Sequence, residues 1–128
     1  MAALSNFAEN EMLDHMLGTG AYTAPSNVFL SLWTSDPTDA GNGNELSGSS
    51  YARQDINFSA SSSGAAVSSG VVTFPTATGS WGEITHIGIH DAASSGNLLF
   101  YGALTASKAI STGDVFQVAS TGISITAA

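Results

Sequence analysis

The chain has 128 residues, enough for one domain with a modest core, and its 43% hydrophobic content excludes a disordered polymer. Ten acidic residues against two basic ones, Arg53 and Lys108, give a formal net charge of -8, which disfavours nucleic acid as a partner because phosphate binding needs clustered cations. Only 9% of residues are charged, below the roughly 25–35% of a well-solvated designed surface, and the absence of cysteine removes disulfides and thiolate chemistry.

The first element is expected to be a short helix. Leu4, Phe7, Ala8, Met12, Leu13, Met16 and Leu17 recur at three- and four-residue spacing, with Glu9, Glu11 and Asp14 between them. Ser5 or Asn6 can cap the start, Gly18 and Gly20 can stop it, and Pro25 closes the connection. A helix of three to four turns is marginal alone, so its apolar face must dock on its own domain or on a neighbour. In the second case Leu4, Phe7, Met12, Leu13, Met16 and Leu17 are the expected assembly contacts. Residues 1–24 are read as this helix and its connection, and 25–128 as a β-domain.

From Val28 the period becomes two: Val28, Leu30 and Leu32 alternate with Phe29, Ser31 and Trp33, which predicts a strand with one strongly apolar face and a partly apolar second. Residues 34–50 read as a long loop opened by Asp36-Pro37 and eased by Gly41, Gly43 and Gly48. Residues 51–58 resume extended structure. Residues 59–70 are Ser/Ala/Gly-rich, either a mobile loop or a weak edge hairpin through Ala65, Ala66 and Val67. Shorter runs follow at 71–74, stopped by Pro75, and from Trp81 through Ile84, Ile87 and Ile89 to Asp91. Residues 92–97 are a turn, 98–104 a strand, and 106–114 a turn around Gly113-Asp114. Strands at 115–119 and 122–125 complete the set. Seven or eight short strands after one helix predict a mainly β fold, an antiparallel β-sandwich of jelly-roll type.

Chemistry-bearing residues are sparse. His86 and His90, four apart on a strand, lie about 13 Å from each other, too far to share one metal ion; His15 has no local partner. Asp36, Asp39, Asn42, Asn44 and Glu45 offer oxygen ligands without the order of a calcium-binding EF-hand loop. Gly41-Asn42-Gly43 lacks the lysine and helix start of a phosphate cradle. No serine sits in a Gly-x-Ser-x-Gly elbow, and Asp55, Glu83 and Asp91 show no facing geometry for glycoside hydrolysis. No enzyme, catalytic residue, metal or cofactor is therefore expected. Arg53, with its planar fork, is expected to bind Asp55, Asp36 or Asp39 and tie the long loop to the sheet, as a structural anchor.

No run approaches the ~18 apolar residues of a membrane span, and no basic region followed by an apolar run and a cleavage site opens the chain, so no membrane partner is expected. Leu32-Trp33-Thr34-Ser35-Asp36-Pro37-Thr38-Asp39-Ala40-Gly41, Glu45-Leu46-Ser47-Gly48 and Tyr51-Ala52-Arg53-Gln54 resemble a small protein family of tailed bacteriophages, often labelled tail-fibre or virion structural proteins. Phe74-Pro75-Thr76-Ala77-Thr78, Trp81-Gly82, Gly88-Ile89-His90-Asp91-Ala92, Gly96-Asn97-Leu98-Leu99 and Gly113-Asp114 carry the likeness through the second half. The departure is His90, where the family pattern has an aromatic or aliphatic residue.

The resemblance implies a non-enzymatic structural subunit of the virion, assembled in the bacterial cytoplasm, whose partners are copies of itself and other virion proteins of tail or capsid. Decoration of a capsid, in the manner of a cement protein, is the alternative placement. A reading of another class makes the domain a glycan-binding module for a host-surface glycan, stacking sugars on Trp33, Tyr51 or Trp81. That reading requires the two tryptophans to be exposed side by side; burial of both defeats it.

Overall fold

The computed structural model describes residues 3–126, which form nine strands and one helix. In chain order these are β1 (Ala3–Leu4), α1 (Asn6–Met16), β2 (Val28–Trp33), β3 (Gln54–Phe58), β4 (Ala65–Ser69), β5 (Val72–Thr73), β6 (Gly82–His90), β7 (Leu98–Ile110), β8 (Gln117–Val118) and β9 (Ser124–Thr126). The fold is mainly antiparallel β. Seven strands form one sheet in the order β1-β7-β6-β2-β3-β4-β9, and β5 pairs with β8 as a separate ribbon. The sheet curls until Ile123 and Ser124 face Gly102–Thr105 of β7 across a cleft of about 120 Å³. The architecture is thus one nearly closed sheet plus a ribbon, and the pairing does not bear out the jelly-roll sandwich expected from the strand count.

Inside the curl lie apolar residues of the central strands, at a spacing of two in β2 and from Ile87 to Ile89 in β6, while Ile84 reaches the same side across a register shift at Thr85. Leu30 and Leu32 of β2, Ile56 of β3, and Ile84, Ile87 and Ile89 of β6 are buried in one cluster. One end is filled by aromatic side chains from the ribbon and its flanks. Phe74 stands edge-on to Trp81 and Phe116 at 6.4 and 5.7 Å between ring centres, and Tyr51 stacks on it at 6.1 Å. Such edge and offset arrangements suit the ring quadrupoles. Pro75 ends β5 as expected, because proline cannot donate to a ladder.

Three expectations need correction. Leu4 lies in β1, paired with Phe100 of β7, and not in the helix, which starts at Asn6 with the Ser5 hydroxyl accepting from Ala8 N. Residues 106–110 are not a turn, because β7 continues through them: Ala109 and Lys108 pair with Glu83 and Ile84 of the long β6. Their alanines and serines have weak strand preference, so only the partner strand makes them extended. The register slips over residues 104–107, four residues opposite Thr85 alone, which is a large bulge. Residues 59–70 include β4, which lies between β3 and β9 and so is neither a free loop nor an edge.

Candidate functional site

β2 and β6 pair from Phe29↔His90 to Trp33↔His86, so Ser31, Trp33, Gly88 and His90 share the face turned away from the core. That face is buried too. Ser31 is fully buried, and Trp33 and His90 are 4% exposed. The Trp33 indole Nε1 donates to Ser31 Oγ at 2.8 Å, and Ser31 Oγ lies 3.1 Å from His90 Nδ1. An indole only donates, so the serine oxygen accepts from Trp33 and bridges it to the ring nitrogen of His90. The Trp33 and His90 rings are parallel, 6.1 Å apart, so His90 presents an aromatic plane to the indole. Gly88 makes room for this: a Cβ there would lie 2.7 Å from Ser31 Oγ and 2.9 Å from Trp33 Nε1.

Beside these residues sits Arg53, whose Nε and Nη2 donate to the two oxygens of Glu45 at 2.8 and 2.7 Å. Its Nη1 donates to the carbonyls of Ala92 and Ser95 at 3.0 and 2.7 Å. The fork partner is therefore Glu45, and none of Asp36, Asp39 and Asp55. Asp36 accepts from Thr38 N at 2.9 Å in its own turn, and Asp55 is exposed on β3. Asp39 accepts from the Tyr101 hydroxyl of β7, and its carbonyl takes Asn6 N of α1 at 2.9 Å. The hydrogen bond to Asp39 pushes the Tyr101 phenol up to about 12.

Glu45 also accepts from the Tyr51 hydroxyl at 2.7 Å, while that oxygen takes Leu32 N at 3.0 Å. The long loop is thus stitched along β2, with Leu46 N on Leu32 O and Thr34 N on Asn44 O, both at 3.0 Å. Within it Gly43 passes so close to Asp36 that a Cβ would meet Asp36 O at 2.3 Å. Electrostatics follow the geometry. Burial alone would raise the Glu45 carboxyl, but hydrogen bonds from Arg53 and Tyr51 hold it below the usual carboxylate value. Burial, then the Arg53 charge, pushes His90 down to about 4. Burial, with Glu45 beside it, raises the Tyr51 phenol.

A cavity of about 360 Å³ opens over His90, Arg53, Glu45, Asp39 and Asn97. The bonds around it tie Glu45, through Arg53, to the carbonyls of Ala92 and Ser95. Ser31 is fully buried between Trp33 and His90 and is not among the residues that line the cavity. Among the described residues no three His, Asp or Glu converge as metal ligands. His15 accepts from Tyr22 N, and His86 bonds its neighbour Thr85. Trp33 and Trp81 are both buried, at 4% and 5% exposure, and Tyr51 packs against Phe74 and Trp81, so the exposed stacking platform of the glycan reading does not form.

Sequence reasoning passed over Glu45 as the partner of Arg53. No local signal marks it, since Asp55 is nearer along the chain and also two residues from Arg53; the pairing of the loop with β2 brings Glu45 to Tyr51 and Arg53. The expected assembly residues divide. Phe7 and Leu4 are half-buried against the sheet, whereas Met12, Leu13, Met16 and Leu17 are exposed.

No curated protein matches the chain. A family of phage proteins, described as Podophage GP4 fiber I protein gp80, matches residues 3–126, the whole span whose architecture is set out above. Continuous agreement from β1 to β9, over a domain whose polar residues are engaged in holding loops to strands, makes this chain a member of that podophage fibre-protein family.

Proposed function

We propose that the protein is a non-enzymatic structural subunit of a tailed-phage virion, carried on the tail-fibre apparatus and acting through contacts with other virion proteins. The match over residues 3–126 carries this reading. Two features of the chain support it. The concentrated hydrogen bonding of Arg53, Glu45, Tyr51 and Asp39 stiffens loops without presenting a reactive group. The exposed apolar side chains of α1 leave a surface that a neighbouring protein could cover.

A cryo-electron density map of the intact particle tests the placement. Density for this curled sheet on the fibre or its attachment point is expected; density at capsid lattice positions would overturn the fibre placement in favour of decoration. Incubation of the purified protein with host envelope polysaccharide, followed by sizing of the products, tests the absence of enzymatic function. The expected result is no shortening of the polymer, and catalytic depolymerisation would refute a purely structural role.

A further inference from the structure

Asn42 is followed by a glycine, and no other asparagine of the chain is. Asn6, Asn10, Asn27, Asn44, Asn57 and Asn97 precede Phe7, Glu11, Val28, Glu45, Phe58 and Leu98, whose side chains crowd the next amide nitrogen. Asn6 and Asn10 are also fixed in α1 and Asn57 in β3, and Asn97 is held to both oxygens of Asp91 at 2.7 and 3.0 Å.

At Asn42 the surroundings are different. The residue is exposed in the 34–50 loop, and the fold itself demands the glycine after it. Besides the Asp36 oxygen, a Cβ on Gly43 would meet the Asp36 carbonyl carbon at 2.8 Å and Pro37 Cα at 2.9 Å. The Gly43 N–H donates to Pro37 O at 3.3 Å, the longest main-chain bond holding a turn or loop among the described residues, outside the usual range of about 2.7–3.2 Å. Asn42 Oδ1 accepts from the Thr38 hydroxyl at 2.7 Å, and Thr38 is itself fixed by its N–H on Asp36 Oδ1 at 2.9 Å.

An unhindered, loosely held amide nitrogen beside a polarised side-chain amide is arranged for ring closure. The Gly43 nitrogen gives its proton to a solvent hydroxide and attacks Cγ of Asn42. The Thr38 hydroxyl donates to the oxygen on which charge develops. The bond from Cγ to the side-chain nitrogen then breaks, and ammonia leaves with a proton taken from water. Water opens the resulting five-membered imide: at Cγ to give aspartate, or at the main-chain carbonyl to give isoaspartate, in which the chain runs through the former side chain.

Isoaspartate lengthens the main chain by one carbon immediately before Gly43, where the contacts that exclude a Cβ leave no space. Movement of Gly43 away from Asp36 carries Asn44 and Glu45 with it. Those two residues hold Thr34 N at 3.0 Å and the Arg53 fork at 2.7 Å, the bonds that keep the loop against β2 and over Trp33.

We infer that Asn42-Gly43 is a site of spontaneous modification, which converts to isoaspartate with the assistance of Thr38 and thereby releases the loop from β2. Purified folded protein held in mildly alkaline buffer tests this, read by fragmentation mass spectrometry and by labelling with an isoaspartyl methyltransferase. Label is expected at residue 42 ahead of every other asparagine, with release of ammonia. No label there while the protein stays folded, or equal label at all asparagines, would overturn the site. Asn42 and Thr38 are both exposed, so substitutions at them leave the core intact. Asn42→Gln, too long to close the five-membered ring, is expected to take no label at this position. Thr38→Val keeps the branched shape without the hydroxyl and is expected to slow labelling by about tenfold, the worth of one hydrogen bond; unchanged or faster labelling would overturn the part assigned to Thr38. The modified protein is expected to show red-shifted tryptophan emission, and Asn42→Asp, which has the new charge without the added carbon, the emission of the wild type. Wild-type emission from the modified protein, or an equal shift in Asn42→Asp, would overturn release of the loop by the lengthened chain.

Discussion

β2 and β6 bury both of their faces, and they do so by different means. Towards the inside of the curl, Leu30, Leu32, Ile87 and Ile89 meet the rings of Phe74, Trp81 and Phe116, and stability there is apolar area and close packing. Towards the outside, Ser31, Trp33 and His90 are covered by the loops that Arg53 and Glu45 hold, and stability there depends on hydrogen bonds that are each satisfied. The inner face is expected to lose stability in proportion to the volume removed. The outer face is expected to fail when one partner is removed or when the proton balance changes, because the group left behind is buried.

The comparison breaks most visibly at Phe74, which is fully buried among aromatic neighbours. Phe74→Ala is expected to cost about 3–5 kcal/mol in denaturant unfolding, with no change in the slope of stability against pH. On the other face Gly88→Ala would drive a methyl group into Ser31 and Trp33. The expected loss is about 2–3 kcal/mol, together with a changed tryptophan emission spectrum; an unchanged spectrum would show that the cluster can move aside.

Proton balance distinguishes the faces further. His90 has its folded pKa near 4 against an ordinary 6.5. Above pH 6.5 both states are neutral and the full contribution is present. Between 6.5 and 4 the unfolded chain takes a proton that the folded chain refuses, so stability falls as pH falls, by up to about 3 kcal/mol once pH 4 is passed. Arg53, Glu45 and Asp91 are the charges that act on this imidazole. His90→Phe is expected to keep the stack on Trp33 and flatten the stability profile between pH 6.5 and 4, measured as the difference in urea midpoint from the wild type. Glu45 has its value depressed, so its own contribution is present above the ordinary carboxylate range and is lost at still lower pH.

A smaller effect is expected from Arg53→Met, which deletes both bonds to Glu45 but leaves Tyr51 to donate. The loss should be about 2 kcal/mol, and Glu45→Gln in the same background should restore part of it, because the amide carries no unpaired charge. Equal losses for the single and double variants would mean that the carboxylate reaches water once Arg53 is gone.

How far this was readable from the chain differs by element. Val28–Trp33 was legible on both faces, since period two separates Leu30 and Leu32 from Ser31 and Trp33 without reference to any other strand. The capped start of α1 was legible for a similar local reason. By contrast, residues 106–110 read locally as a turn, because Ala106, Ser107 and Ala109 have weak strand preference and become extended only against Gly82–Ile84. The Arg53 partner was misassigned among four carboxylates, since nothing local tells Glu45 from Asp36, Asp39 or Asp55.

By itself, then, the amino-acid order determined an acidic, cysteine-free β-domain with a short helix at its start, the inward and outward residues of its central strands, and the turn signatures that place it beside phage structural proteins. These are properties of near neighbours along the chain: periodicity, capping and turn chemistry act over a few residues. Tertiary structure decided the curled single sheet in place of two layers, the extension of β7, the choice of Glu45 by Arg53, and the burial of Trp33 and His90 beneath loops. Each of these depends on a meeting of residues far apart in sequence, where one hydrogen bond or one excluded Cβ selects among arrangements that local preference leaves equal.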